Sequence, residues 1–198
     1  MIKLPKKLPE SRHFSCFAIN KLIRAEMIDL LRTRRSVRKF TEQPIEPEKL
    51  EILKEAILRA PSSKNSNAGE YIFVDDQELI QKLAQSKPHG AAPLLTAQLA
   101  VVILVNESKT AAWIEDSSIA SFVAHLAAHS LGLGSCWIQI RGREYSEGKM
   151  SEEYISELLN IPEGFRVLSI VAVGYAQRQH EGRPASELDF GKIHENGF

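Results

Sequence analysis

From about position 26 onward, the spacing of apolar residues predicts the elements of the chain. Met27, Ile28, Leu30 and Leu31 open a helix that runs into the basic stretch Arg32-Thr33-Arg34-Arg35. Residues 46–60 give the clearest helix. Leu50, Leu53, Ile57 and Ala60 recur three or four apart, Pro47 suits the first turn, and Pro61 stops the helix. Tyr71-Ile72-Phe73-Val74 reads as a strand, and residues 77–85 as a helix begun by Asp75-Asp76. The unbroken, β-branched run over 99–105 has the pattern of a strand covered on both faces. A second strong helix is expected over 116–131, with Ile119, Phe122, Val123 and Leu126 as its apolar face. Gly132-Leu133-Gly134 ends it as helix C-termini prefer. A short strand over 135–140, a helix over 151–160 with Ser151 as N-cap, and a buried strand over 167–175 complete the reading. Residues 1–24 read as an appendage and 25–198 as one domain, with an irregular tail from 176.

Composition narrows the class. At 198 residues and 43% hydrophobic, the chain suits one globular domain with a real core. Lys+Arg and Asp+Glu both number 25, so no net positive charge drives it onto nucleic acid. Cys16 and Cys136 form neither a disulfide framework nor a metal-ligand spacing, which fits a reducing, cytoplasmic setting. No stretch has the roughly 20 apolar residues of a membrane span, and the basic N-terminus lacks the long apolar core of a signal peptide.

Three segments could carry chemistry. Arg34-Arg35-Ser36-Val37-Arg38-Lys39 follows a helix end, and guanidinium forks with a hydroxyl suit a phosphate. Its ordinary alternative is a solvated basic helix end. Ser62-Ser63-Lys64-Asn65 places short polar side chains on a loop, suited to the edge of a heterocycle or simply to a turn. In Gly132-Leu133-Gly134-Ser135-Cys136-Trp137-Ile138, the glycines let backbone approach a flat ring on which Trp137 and Ile138 can pack. The same residues also serve a plain helix–strand connection. His125 and His129 lie one helical turn apart, but Leu126 stands where a zinc helix needs its glutamate and no third ligand is evident. Partner contact or surface placement is expected for them, and no metal. Cys136 has no visible activating base. Neither a Gly-x-Gly-x-x-Gly nor a Walker sequence is present.

The order of these segments, followed by Ile161-Pro162-Glu163-Gly164-Phe165 and Val171-Ala172-Val173-Gly174-Tyr175, resembles the nitroreductase family over about residues 26–183. The resemblance implies an α+β, three-layer fold: a central mixed β-sheet with helices on both faces, in an intertwined homodimer. It implies FMN at the dimer interface, NADH or NADPH as electron donor, and a small oxidised acceptor such as a nitroaromatic or quinone in a ping-pong reaction. Arg34, Arg35, Ser36 and Arg38 match the family's first flavin-binding run, and Ser62, Ser63 and Asn65 the loop that reaches the flavin from the partner. Trp137, Ile138 and Gln139 match the segment beside the isoalloxazine, and Arg183 a phosphate-binding residue near the C-terminus. No side chain is implied as a catalytic acid or base.

The chain departs from the family pattern at Ala68-Gly69, where an aromatic anchor is common, and at Ile140, where glycine is common. Ile140 is therefore expected to narrow the flavin pocket or alter the N5 contact. That leaves a flavin-storage protein as one alternative. A reductive dehalogenase on the same scaffold, or an interaction domain without flavin, are the others.

Overall fold

A computed structural model describes residues 27–198. The expected appendage over 1–24, and Cys16 with it, lie outside the described residues.

The helical residues 27–33, α1, lead into an extended segment over 34–41. Then follow α2 (Pro47–Leu58), β1 (Gly69–Val74), α3 (Gln77–Ala84) and β2 (Leu99–Asn106). After these come α4 (Trp113–Ser130), β3 (Gly134–Gln139), the small hairpin β4 (Glu144–Ser146) and β5 (Lys149–Met150), α5 (Ser151–Leu159) and β6 (Phe165–Gly174). The main sheet runs β1-β2-β6-β3, with every neighbouring pair antiparallel. Among the described residues its parallel component is a single bridge, Ser36 to Ser135, where the 34–41 segment meets β3.

Helices cover both faces. On one face Leu53 and Ile57 of α2 and Ala120, Ala124 and Ala128 of α4 pack against Val101, Ile103 and Val171. On the other, Ile80 and Leu83 of α3 and Ile155 of α5 pack against Ala100, Val102 and Ile170. β2 lies between the two cores, and Leu99 to Val105 are all buried, as the unbroken apolar run requires. Each large side chain fully buried this way contributes roughly 1.5–3 kcal/mol.

Three local expectations are corrected. Met150, not Ser151, is the N-cap of α5: its N–H donates to Glu153 Oε2 at 3.1 Å, while Ser151 is the first helical residue and buried. On α4, the small residues and His125 face the sheet, because close helix–sheet approach selects small side chains. Ile119 and Phe122, the louder apolar stripe, are exposed in the single chain. His125 is likewise not a surface residue. It is 5% exposed, with Nδ1 2.7 Å from Ser135 Oγ.

Candidate functional site

The basic run is fixed by a pair of glycines. Gly134 of β3 and Gly174 of β6 are cross-strand partners. A Cβ on Gly134 would meet Val37 at 2.7 Å, and one on Gly174 would meet Phe40 at 3.1 Å. Val37 and Phe40 thus fill the space that side chains would take, and both enter the core. The backbone completes the attachment. Val37 N–H donates to Ser135 O, Thr41 N–H to Tyr175 O, and Gln177 N–H to Lys39 O. Gly134 was expected to open space for a flat ligand; instead that space belongs to Val37. Gly132, at φ 75°, is the expected left-handed helix stop.

With Val37 and Phe40 turned inward, Arg35, Ser36, Arg38 and Lys39 remain toward solvent. They line a cavity of about 410 Å³ together with Arg178 and His180, and no carboxylate lines it. Among the described residues none of its three arginines, nor Lys39, forms an ion pair. A neighbouring cavity of about 530 Å³ shares Arg35, Arg178 and His180 and reaches His129 and Ser135. Arg34 is half-buried and lines neither cavity of this trough. Burial first, and then the Arg34 charge, hold His125 down to about 4 and push His129 down as well. Both are therefore neutral near pH 7, and His129 Nε2 lies 2.8 Å from Thr33 Oγ1. Among the described residues no cluster of three metal-binding side chains occurs.

Beyond Ser135 the outer edge of β3 is open. Ser135 O faces away from β6 to accept Val37 N–H, and Gln139 O does so to accept Lys87 Nζ at 2.8 Å. By the antiparallel alternation, the N–H groups of Trp137 and Gln139 face the same open edge. Their side chains are linked, Trp137 Nε1 donating to Gln139 Oε1 at 3.0 Å. Ile138 alternates to the other side: its side chain is in the core, and its backbone N–H and C=O face β6, so it presents nothing to a ligand at this edge. Ile140 does not narrow any pocket. Its side chain is fully buried in the core and its N–H donates to Leu168 O at 3.0 Å. Burial raises the Cys136 thiol, opposed by Arg38 and Lys87, which disfavours its thiolate as a nucleophile.

Ser62, Ser63 and Asn65 lie elsewhere. Their loop contains three non-glycine residues in left-handed conformation, Lys64, Asn65 and Asn67, with φ of 52°, 54° and 47°. Ser62 lines a separate cavity of about 240 Å³ with Tyr71, Asp116 and Ser117, and none of the basic run reaches it. One chain therefore does not bring the two segments into one cavity. Arg183 is also apart from the trough lining. Its guanidinium donates to Glu187 O at 2.6 Å and lies 3.5 Å from the Glu187 carboxylate.

Arg178, His180 and Asp116 were missed by sequence reasoning. Arg178 and His180 sit in an irregular polar stretch without any period, and Asp116 reads as an ordinary first-turn carboxylate.

The family model described as the nitroreductase family matches residues 31–92 and 87–175. The chain belongs to the nitroreductase family. A family relative from Archaeoglobus fulgidus, provisionally named NADH dehydrogenase/NAD(P)H nitroreductase, is 31% identical over 169 residues, which is 83% of this chain and 89% of that one. The solved structure of an FMN-dependent nitroreductase from Clostridium difficile R20291 superposes with a TM-score of 0.85 at 42% identity, covering 87% of this chain and all of that one. The FMN reductase [NAD(P)H] of Bacillus subtilis is 28% identical over 183 residues, 80% of this chain and 69% of that protein. The three-layer nitroreductase fold thus accommodates both the α3/α5 and the α2/α4 faces seen here.

Proposed function

We propose that the protein is an FMN-dependent oxidoreductase that uses NADH or NADPH to reduce a small oxidised acceptor. The observation that carries this reading is the cationic, carboxylate-free cavity of Arg35, Arg38, Lys39 and Arg178, carried by the segment that bridges to β3 at Ser135. It suits a phosphate at one end and a flat heterocycle against backbone donors at the other. When bound, FMN would supply the redox chemistry, hydride transfer between a nicotinamide and the acceptor. The chain's own part is binding and orientation. Arg34, Arg35, Ser36 and Arg38 hold the phosphate and ribityl chain. Arg178 and His180 add to them, while Arg183 is engaged by Glu187. The N–H groups of Trp137 and Gln139 donate to the ring edge. With Ile140 withdrawn into the core, the ground for a low-turnover storage protein is absent.

The site is completed by a second chain. Ser62, Ser63 and Asn65 do not share a cavity with the basic run of their own chain. The exposed Ile119 and Phe122 on α4, with Leu188, Phe190 and Ile193 in the tail, supply apolar surface for an obligate homodimer. Among the described residues no helix is long and apolar enough to cross a membrane. The neutral net charge supports an enzyme acting on small molecules rather than on nucleic acid, and a cytoplasmic setting belongs to the same proposal. Donor and acceptor use one pocket in turn, so initial rates with NADH or NADPH against a quinone or nitroaromatic give parallel double-reciprocal lines. Intersecting lines with a ternary complex would contradict the shared pocket.

A further inference from the structure

Among the described residues, one side chain hydrogen-bonds the loop over 62–67 to the rest of its chain. Asp116, 8% exposed in the first turn of α4, accepts the Ser63 N–H on Oδ1 at 2.7 Å. Its Oδ2 accepts the Thr110 hydroxyl proton at 3.1 Å, and Thr110 Oγ1 in turn accepts the Ala112 N–H. Among the described residues every other hydrogen bond of residues 62–67 stays inside the loop. These are Asn65 N–H to Ser62 O, Ser66 N–H to Ser63 O, Asn67 N–H to Ser62 Oγ, and the Asn67 amide to Asn65. The neighbouring Ser117 hydroxyl is buried and has no partner among the described residues. It does not share the task.

Two features argue that this arrangement serves more than stability. A carboxylate is costly to bury, and here no cation offsets it among the described residues; only two donors and the N-terminal end of α4 do. The loop it holds is also conformationally expensive, because left-handed backbone is unfavourable for Lys64 and only tolerated by Asn65 and Asn67. Such a conformation persists only where its surroundings determine it.

We propose that Asp116 is a positioning residue that latches the Ser62–Asn65 loop, and so sets how tightly the flavin of the opposite subunit is held. This rests on the reading that the loop reaches the partner's flavin. The latch acts through the loop and touches no reacting atom.

The test compares Asp116→Ala and Asp116→Asn with the wild type as intact flavoproteins and as apoproteins. An asparagine keeps an acceptor for Ser63 and a donor for Thr110; alanine keeps neither. Asp116→Ala is expected to weaken FMN by about 10-fold or more. Riboflavin weakens equally, because the loop contacts the ring rather than the phosphate. Amide exchange accelerates over residues 62–67 while the central sheet stays protected, and Asp116→Asn restores most of the affinity. Unchanged flavin affinity or unchanged loop exchange in Asp116→Ala overturns the proposal. So does exchange accelerated across the whole sheet without rescue by asparagine, which marks a merely structural carboxylate. A wild-type protein that binds no flavin at all would instead overturn the functional reading beneath it.

Discussion

Acidification should expose the buried histidine of α4. His125 is held down to about 4 from an ordinary 6.5, first by burial and then by Arg34. The folded chain therefore keeps a neutral ring, while the unfolded chain takes up a proton once the pH falls below about 6.5. The unfolded state binds more protons throughout this window. Stability from this group is complete above pH 6.5 and is lost progressively as pH falls toward 4. At roughly 1.36 kcal/mol per unit, the loss is about 2 kcal/mol at pH 5 and about 3 kcal/mol near pH 4. His129 is shifted the same way by the same two causes and adds to the effect. The consequence reaches the site, since His125 bonds Ser135 and the Ser135 carbonyl receives Val37 N–H from the basic run. Urea denaturation of wild type and His125→Asn, at about pH 7.5 and about pH 5, isolates the group. Asparagine retains a partner for Ser135 and does not titrate, and carboxylate contributions cancel in the double difference. Protein concentration is held fixed, because a dimer's apparent stability depends on it. The wild type should lose about 2 kcal/mol more than the variant between the two conditions. Equal losses would refute the assignment of a buried, neutral His125.

Replacing Arg38 or Arg178 with alanine removes a charge-assisted contact and should weaken FMN about 10- to 150-fold. Riboflavin, which lacks the phosphate, should bind as before; flavin titrations run side by side decide it. Arg183→Ala should have the smaller effect, because its guanidinium is already on Glu187. Gly134→Ala forces its new Cβ onto Val37 and should cost about 1–3 kcal/mol in denaturant unfolding. FMN affinity should fall with it, as the basic run is lifted from β3. A variant as stable as wild type would show that the glycine pair is not what seats the run.

Much of the architecture was legible because it depends on local period. The unbroken, β-branched run over 99–105 has the pattern of a strand covered on both sides, and it is one. The helices at Pro47–Leu58 and Gln77–Ala84 follow from their apolar spacing and their first-turn residues. Orientation was less legible. On α4, Ile119 and Phe122 give the louder signal, yet Ala120, Ala124 and Ala128 face the sheet, because contact distance rather than hydropathy selects small residues there. At Ile140 the family pattern suggested a side chain intruding on the pocket. The pleat of β3 decides otherwise, since residues 136, 138 and 140 share the core face. The basic run was legible as a phosphate candidate. Its companions Arg178 and His180 were not, because the tertiary pairing of residues 39–41 with residues 175–177 is what brings that tail alongside. Asp116 carries no signal of its role, which exists only through a contact 53 residues away in the chain.

The central claim is that this trough holds FMN and passes electrons through it. Its most direct test is the absorption spectrum of the purified protein, followed under anaerobic conditions. The account predicts a yellow protein that releases FMN on denaturation, near one per chain, and whose flavin band bleaches when NADH or NADPH is added and returns with a quinone. A colourless protein that takes up no added FMN, or a bound flavin that neither nucleotide reduces, would contradict it.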